Sequence, residues 1–195
     1  MSADEVIAEL NESFLSEPYP GDSNIVTNNA PDYDLESLQI RDAFKIHPWH
    51  TLPDELMRHE QGGYIFLSKK GLKYYLPAYL RFAVRAYVES DSIPDGLIFT
   101  LTLPTEVDEA IAAFDTKRFG LVERMPKIDW NEYHQGRIQE VNKKIHRFID
   151  RHSQFNRAQS RAIFHFLRYM RDEHGQDYWN KEPDIAIERY WFQFA

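Results

Sequence analysis

The sequence predicts a mainly α fold: a compact multi-helix bundle with long loops and little or no β-sheet. Three observations carry that expectation. Apolar residues recur every three or four positions in several stretches, the period of one helix face. Several of those stretches open on a residue able to cap a helix, among them Ser2, Ser68 and Asn156. Only one run, LIFTLTL at 97–103, has the β-branched and aromatic character of a strand, and no second convincing strand exists to pair with it. With 195 residues, 43% of them hydrophobic, the chain can bury a substantial core. It reads as one helical domain over 1–195, in which a basic helical hairpin at 117–175 packs on a core formed by 1–116.

Taken in order, Ser2 followed by Glu5 is a capping box, and Ile7, Leu10 and Phe14 form the stripe of a first helix over about 3–15. PYPGDSN at 18–24 is a turn by composition. After an extended stretch, Asp34 can cap a helix carrying Leu35, Leu38 and Phe44, with Ile40 out of register. Trp49 reads as a core anchor between the surface histidines His47 and His50, and Pro48 disfavours the shared helical face a metal would need. TLPDELMRH at 51–59 is a short helix with Asp54 and Glu55 near its positive end.

Residues 64–88 are the densest apolar run, and the rest of the chain is expected to be organised around them. Ser68 caps a helix with Leu72, Tyr75 and Leu76 inward. Pro77 then ends it and opens a second helix, with Leu80, Val84 and Val88 inward and Arg81 and Arg85 on another face. The ambiguous run at 97–103 reads as a short helix. In TEVDEAIAAF, at 105–114, Val107, Ala110, Ile111 and Phe114 are expected inward. Glu106, Asp108 and Glu109 need no catalytic explanation there, because a helix N-terminus favours carboxylates.

The strongest periodicity follows Asp129, a plausible cap. Trp130, His134, Ile138, Val141, Ile145 and Phe148 make one long stripe, while Arg137, Lys144 and Arg151, seven apart, share a flank. Asn156 caps the next helix, with Ile163, Phe164, Leu167 and Met170 apolar, and Gly175 stops it. Pro183 opens a terminal helix. The aromatic tail, with Tyr190 and Trp191, is expected to dock on the core.

Phe66 and Leu67, followed by the YYLPAYL run of Tyr74 to Leu80, resemble the signature of an uncharacterised bacterial family of domains of unknown function. The PYPGD turn, Pro18 to Asp22, is similar to that family's N-terminal landmark. The run from Phe155 to Met170 is similar to its C-terminal helix. The resemblance implies a mostly helical cytoplasmic domain and carries over no activity and no catalytic residue.

Composition narrows the function. The chain has no cysteine, which excludes disulfides, thiolate catalysis and cysteine metal sites and fits a reducing, cytoplasmic compartment. No window approaches the roughly 20 apolar residues of a membrane span. The net charge of -8 is polarised: residues 1–60 hold thirteen acidic and three basic side chains, whereas 117–171 hold thirteen basic and five acidic ones. Internal neutralisation of one by the other is the favoured reading.

No nucleophile elbow, phosphate-binding glycine loop, dinucleotide fingerprint or paired metal motif occurs, so neither cofactor nor metal is expected. The reading that remains is a protein-binding module, in concrete form an immunity or antitoxin-like protein that covers a basic partner with acidic side chains. Asp32, Asp34, Glu36, Asp54 and Glu55 would supply the patch. Tyr190 and Trp191 are candidate anchors for a partner or a homodimer. Two alternatives stand beside it. One is a hydrolase or transferase with dispersed polar residues. The other, disfavoured by the acidic whole and the absence of a binding signature, is a nucleic-acid module using Arg137, Lys144, Arg151, Arg161 and Arg168.

Overall fold

The computed structural model describes residues 1–30 and 35–195. Its described residues form eleven α-helices and no sheet; the β-type pairing between Val26 and Leu67 is an isolated bridge. The chain divides into two compact units, one built from Met1–Thr102 with Ser153–Ala195 and the other from Leu103–His152. The two long helices of the expected basic hairpin therefore fall in different units.

In the larger unit, α1 (Ala3–Phe14) starts on the predicted capping box: the Glu5 amide donates to the Ser2 hydroxyl at 3.3 Å, and the Ser2 amide donates to the Glu5 carboxylate at 2.7 Å. It buries Val6, Leu10 and Phe14. The helix α2 (Leu35–Phe44) buries Ser37, Ile40 and Phe44 and leaves Leu35 in solvent, so Ile40 belongs to the stripe and Leu35 does not. The expected cap at Asp34 lies outside the described residues. Two short helices, α3 (Asp54–His59) and α4 (Gly63–Phe66), lead into α5 (Lys69–Arg85).

The centre of this unit is α5. Ser68 caps it by accepting from the Gly71 amide at 3.0 Å. The helix then runs unbroken through Pro77, where two helices were expected to meet. An interior proline costs about 3 kcal/mol through the missing N–H and the clash with the preceding turn. Here twelve residues of α5 are buried, Pro77 among them, and each large apolar side chain contributes about 1.5–3 kcal/mol. Packing on both sides of the proline outweighs its cost. Because the helix ends at Arg85, Val88 is exposed rather than inward.

The first turn of α5 is crossed at close range by the segment after the PYPGD turn. Thr27 N donates to Phe66 O and Ser68 N to Ile25 O, both at 2.9 Å, and the Ser68 hydroxyl donates to Asn24 O. A Cβ on Gly71 would overlap the Ile25 carbonyl oxygen. The approach thus requires glycine.

The first part of the 97–103 run lies in α6 (Ile93–Thr100); Leu101 caps that helix and residues 101–103 have left it. From the far end of the chain, α10 (Arg157–His174) packs on α1, on α11 (Glu182–Arg189) and on the tail turn Trp191–Phe194. Its capping box pairs Asn156 with Gln159, and it buries Ile163, Phe164, Phe166, Leu167 and Met170. Trp191 is fully buried and its indole N–H donates to Leu101 O at 2.7 Å. The tail closes the core.

Opposite charges meet inside this unit. Glu9 of α1 accepts from Arg161 at 3.2 Å and lies 2.5 Å from His165 Nδ1, both on α10. Glu17 pairs with Lys73 at 3.1 Å and accepts from Gln159 at 2.9 Å. Asp54 accepts from Arg85 at 2.5 Å.

The smaller unit contains α7 (Glu106–Arg118), α8 (Leu121–Arg124) and α9 (Trp130–His152). Gly120, at a φ of +64°, makes the turn between α7 and α8. The Asp129 carboxylate caps α9 by accepting from the amides of Asn131 and Glu132, each at 3.0 Å. Val141, Phe148 and His152 are the buried residues of α9.

Candidate interaction surface

The outward face of α7 is set by what its inward face holds. Asp108 reaches back to the Thr105 amide at 2.7 Å, the local capping role expected of an acidic first turn. Glu109 does something else. Its side chain is buried and its carboxylate accepts from Arg137 Nε and Nη2 and from Lys144 Nζ on α9. Arg137 also donates to the Tyr133 hydroxyl at 3.1 Å. The hydrogen bond from Arg137, opposed by burial and reinforced by Lys144, holds the Glu109 carboxyl down at about 2. The same bond pushes Arg137 upward.

Burying Glu109 and Thr116, one helical repeat apart, rotates the expected inward stripe to the outside. Val107, Ile111 and Phe114 stand at positions i, i+4 and i+7 and are 59%, 54% and 66% exposed. The expectation that they face the core is corrected: a buried carboxylate clamped by two cations is satisfied only on the α9 side, and only one side of a helix can face α9. Nine exposed large apolar side chains fall within Leu103–His152, against ten among the described residues of the much longer remainder. Scattered exposed apolar residues are ordinary; Val107, Ile111 and Phe114 share one side of one helix. Glu106 and Lys117 lie on one flank of this stripe at opposite ends of α7, eleven residues apart and both exposed.

The structure places the sequence-derived candidates unevenly. Asp32 and Asp34 lie outside the described residues. Glu36 is exposed, and Glu55 is exposed beside Arg58 at 3.8 Å. Asp54 is engaged by Arg85, and Trp191 is core. Tyr190 is half-buried, with its ring edge against Trp191.

Of the basic set, Arg137 and Lys144 converge on Glu109, as their spacing of seven allows. Arg161 pairs with Glu9, and Arg168 lies 3.8 Å from Asp172, both in the other unit. Arg151 is half-buried, and burial followed by the neighbouring Arg147 lowers its pKa. A phosphate backbone would have to displace existing carboxylate partners from Arg137, Lys144, Arg161 and Arg168.

Among the described residues no group of three His, Asp or Glu side chains is arranged to hold a metal, and no helix is long and apolar enough to cross a membrane. A further ionisable group gathers where Tyr87 stacks on His174, with centroids 3.6 Å apart. The Tyr87 hydroxyl donates to Asp177 at 3.1 Å, tying the end of α5 to the turn after α10. The α7 surface itself was missed from sequence. The available signal was the pair Arg137 and Lys144, whose shared flank on α9 required a carboxylate opposite.

Residues 2–121 match the model of a family of unknown function, DUF6714. No curated protein and no solved structure matches the chain.

Proposed function

We propose, for a chain that belongs to the family of unknown function DUF6714, that it is a protein-binding module whose docking element is α7. The observation that carries this is the outward stripe of Val107, Ile111 and Phe114, held outward by the buried Glu109 clamp. The partner best fitted to it is a second copy of this chain. In an antiparallel, two-fold pairing the stripe meets itself, and residues on one flank meet the same flank of the mate. Each Glu106 then falls opposite Lys117 of the partner subunit, with Ile111 near the axis.

Analytical ultracentrifugation tests the pairing. The wild-type chain is expected to sediment as a dimer at high concentration, and Ile111→Asp as a monomer with an unchanged melting temperature. Glu106→Lys and Lys117→Glu should each weaken the dimer, and the double variant should restore it. A wild-type monomer at every concentration, or singles and double that behave alike, would refute the pairing.

A second reading, the immunity or antitoxin-like one, draws on the exposed Glu36 and Glu55 as a patch for a basic partner protein in a bacterial cytoplasm. Internal pairing of Glu9, Glu17 and Asp54 leaves this patch thinner than the composition suggested. Its test is salt-sensitive binding of a basic probe such as lysozyme. Glu36→Lys with Glu55→Lys should abolish that binding; equal binding by the variant would remove the patch from consideration.

A further inference from the structure

Within the larger unit, a hollow of about 40 Å³ opens between α5, α3 and the single turn Trp49–Thr51. A water needs roughly 10–15 Å³ on this measure, so the hollow takes a small polar head group and nothing drug-sized. Arg81 and Arg85, one turn apart on α5, line it together with Asp54 of α3 and the Trp49 ring.

The fold treats the two guanidinium groups differently. Arg85 Nη2 donates to Asp54 at 2.5 Å. Arg81 meets no carboxylate among the described residues. Its guanidinium lies over the Trp49 ring, 5.5 Å from the centroid, and Nη1 makes one long hydrogen bond, 3.4 Å, to His50 O. The Nε is enclosed and takes no part in binding, so this half-buried side chain opens to solvent through its outer nitrogens, of which Nη2 has no protein partner. Burial, followed by the like charge of Arg85 and opposed by Asp54, lowers the Arg81 pKa. A partly desolvated cation in that position lacks the acceptor that would offset its burial. Glu55, next to Asp54 in the chain, does not supply one, since it faces Arg58 at 3.8 Å.

Charge and shape define what fits. Arg81 and Arg85 against Asp54 leave one positive charge in the hollow. A cation would be repelled, a neutral group would leave that charge unmatched, and a phosphate dianion would overshoot it beside Asp54. The planar guanidinium fork matches a carboxylate. We infer that this hollow binds the carboxylate of a small monocarboxylic acid, with its oxygens on the outer nitrogens of Arg81. The site lies on α5 and α3 and shares no residue with the α7 stripe.

The test is NMR titration of the full chain with sodium acetate at constant ionic strength held with sodium chloride, with acetamide as the neutral control. The reporter is the Arg81 Nε–H, which its enclosure protects from solvent exchange and which is assigned by its loss in Arg81→Lys. Acetate should shift it saturably in the millimolar range, and acetamide should not. Arg81→Gln, followed by calorimetry, should weaken acetate about tenfold, the scale of one lost charge-assisted contact. Asp54→Asn should tighten acetate severalfold, because it removes the competing carboxylate and frees Arg85; a purely packing role for Arg81 predicts no such gain. Ile111→Asp should leave acetate affinity unchanged, so this site and the dimer fail separately. The absence of saturation would overturn the assignment. So would an equal response to acetamide, or an Asp54→Asn chain of native circular dichroism that binds acetate no better than wild type.

Discussion

Glu109 shows how one residue can reverse the reading of an element. Its carboxyl is held near 2 against an ordinary 4.5, so the unfolded chain takes up its proton first as pH falls. The stabilisation is complete above about 4.5 and is lost progressively toward 2, on the order of 1–3 kcal/mol. Glu109→Gln is expected to flatten that part of the acid-denaturation curve, read by urea midpoints across the window. His152 works at higher pH by a different cause. Burial, only partly offset by the Phe148 carbonyl at 2.8 Å, lowers it from 6.5 to about 4. The native state therefore resists protonation, and stability should decline as pH falls from about 6.5 to 4. In His152→Phe this slope should disappear; a slope of equal size would show that another group causes it. Neither shift was legible in the sequence, because both arise from burial that only the packed structure creates.

At the level of elements, helices were legible where one face is uniformly apolar and the caps are local. The Ser2, Ser68 and Asn156 starts, the helical nature of 97–100 and the long run after Asp129 all follow from residues a few positions apart. What was illegible depended on long-range partners. Pro77 was expected to break α5, and burial on both sides of it keeps the helix whole. The stripe of α7 was expected inward, and the ion pairs with α9 turn it out. The start of α5 offers a sharp test. Gly71→Ala would drive a methyl into the Ile25 carbonyl, a backbone group with little room to yield. A loss of several kcal/mol is expected, visible as a large drop in melting temperature. A drop no greater than for an exposed helix site would show that the crossing of 24–27 over α5 is looser than described.

At the scale of the molecule, the polarised charge of the sequence is resolved in part by pairing within the larger unit, where acids of the first third meet cations of α5 and α10. The smaller unit, among the described residues, carries nine of the exposed large apolar side chains. The tail gives the matching prediction about stability. Removing residues 190–195 deletes Trp191 from the core and leaves the Leu101 carbonyl without its donor. The expected cost is about 3–5 kcal/mol, measured as a shift of the urea midpoint, whereas an unchanged midpoint would assign the tail to a role outside the core. The larger unit is also discontinuous, with the fifty residues of the smaller unit inserted between its two stretches. During synthesis, at roughly 5–20 residues per second, α1 can meet α5 early, but α10, the other helix it packs on, follows only after the whole smaller unit has been made. One side of the Val6, Leu10 and Phe14 stripe therefore gains its cover several seconds later than the other.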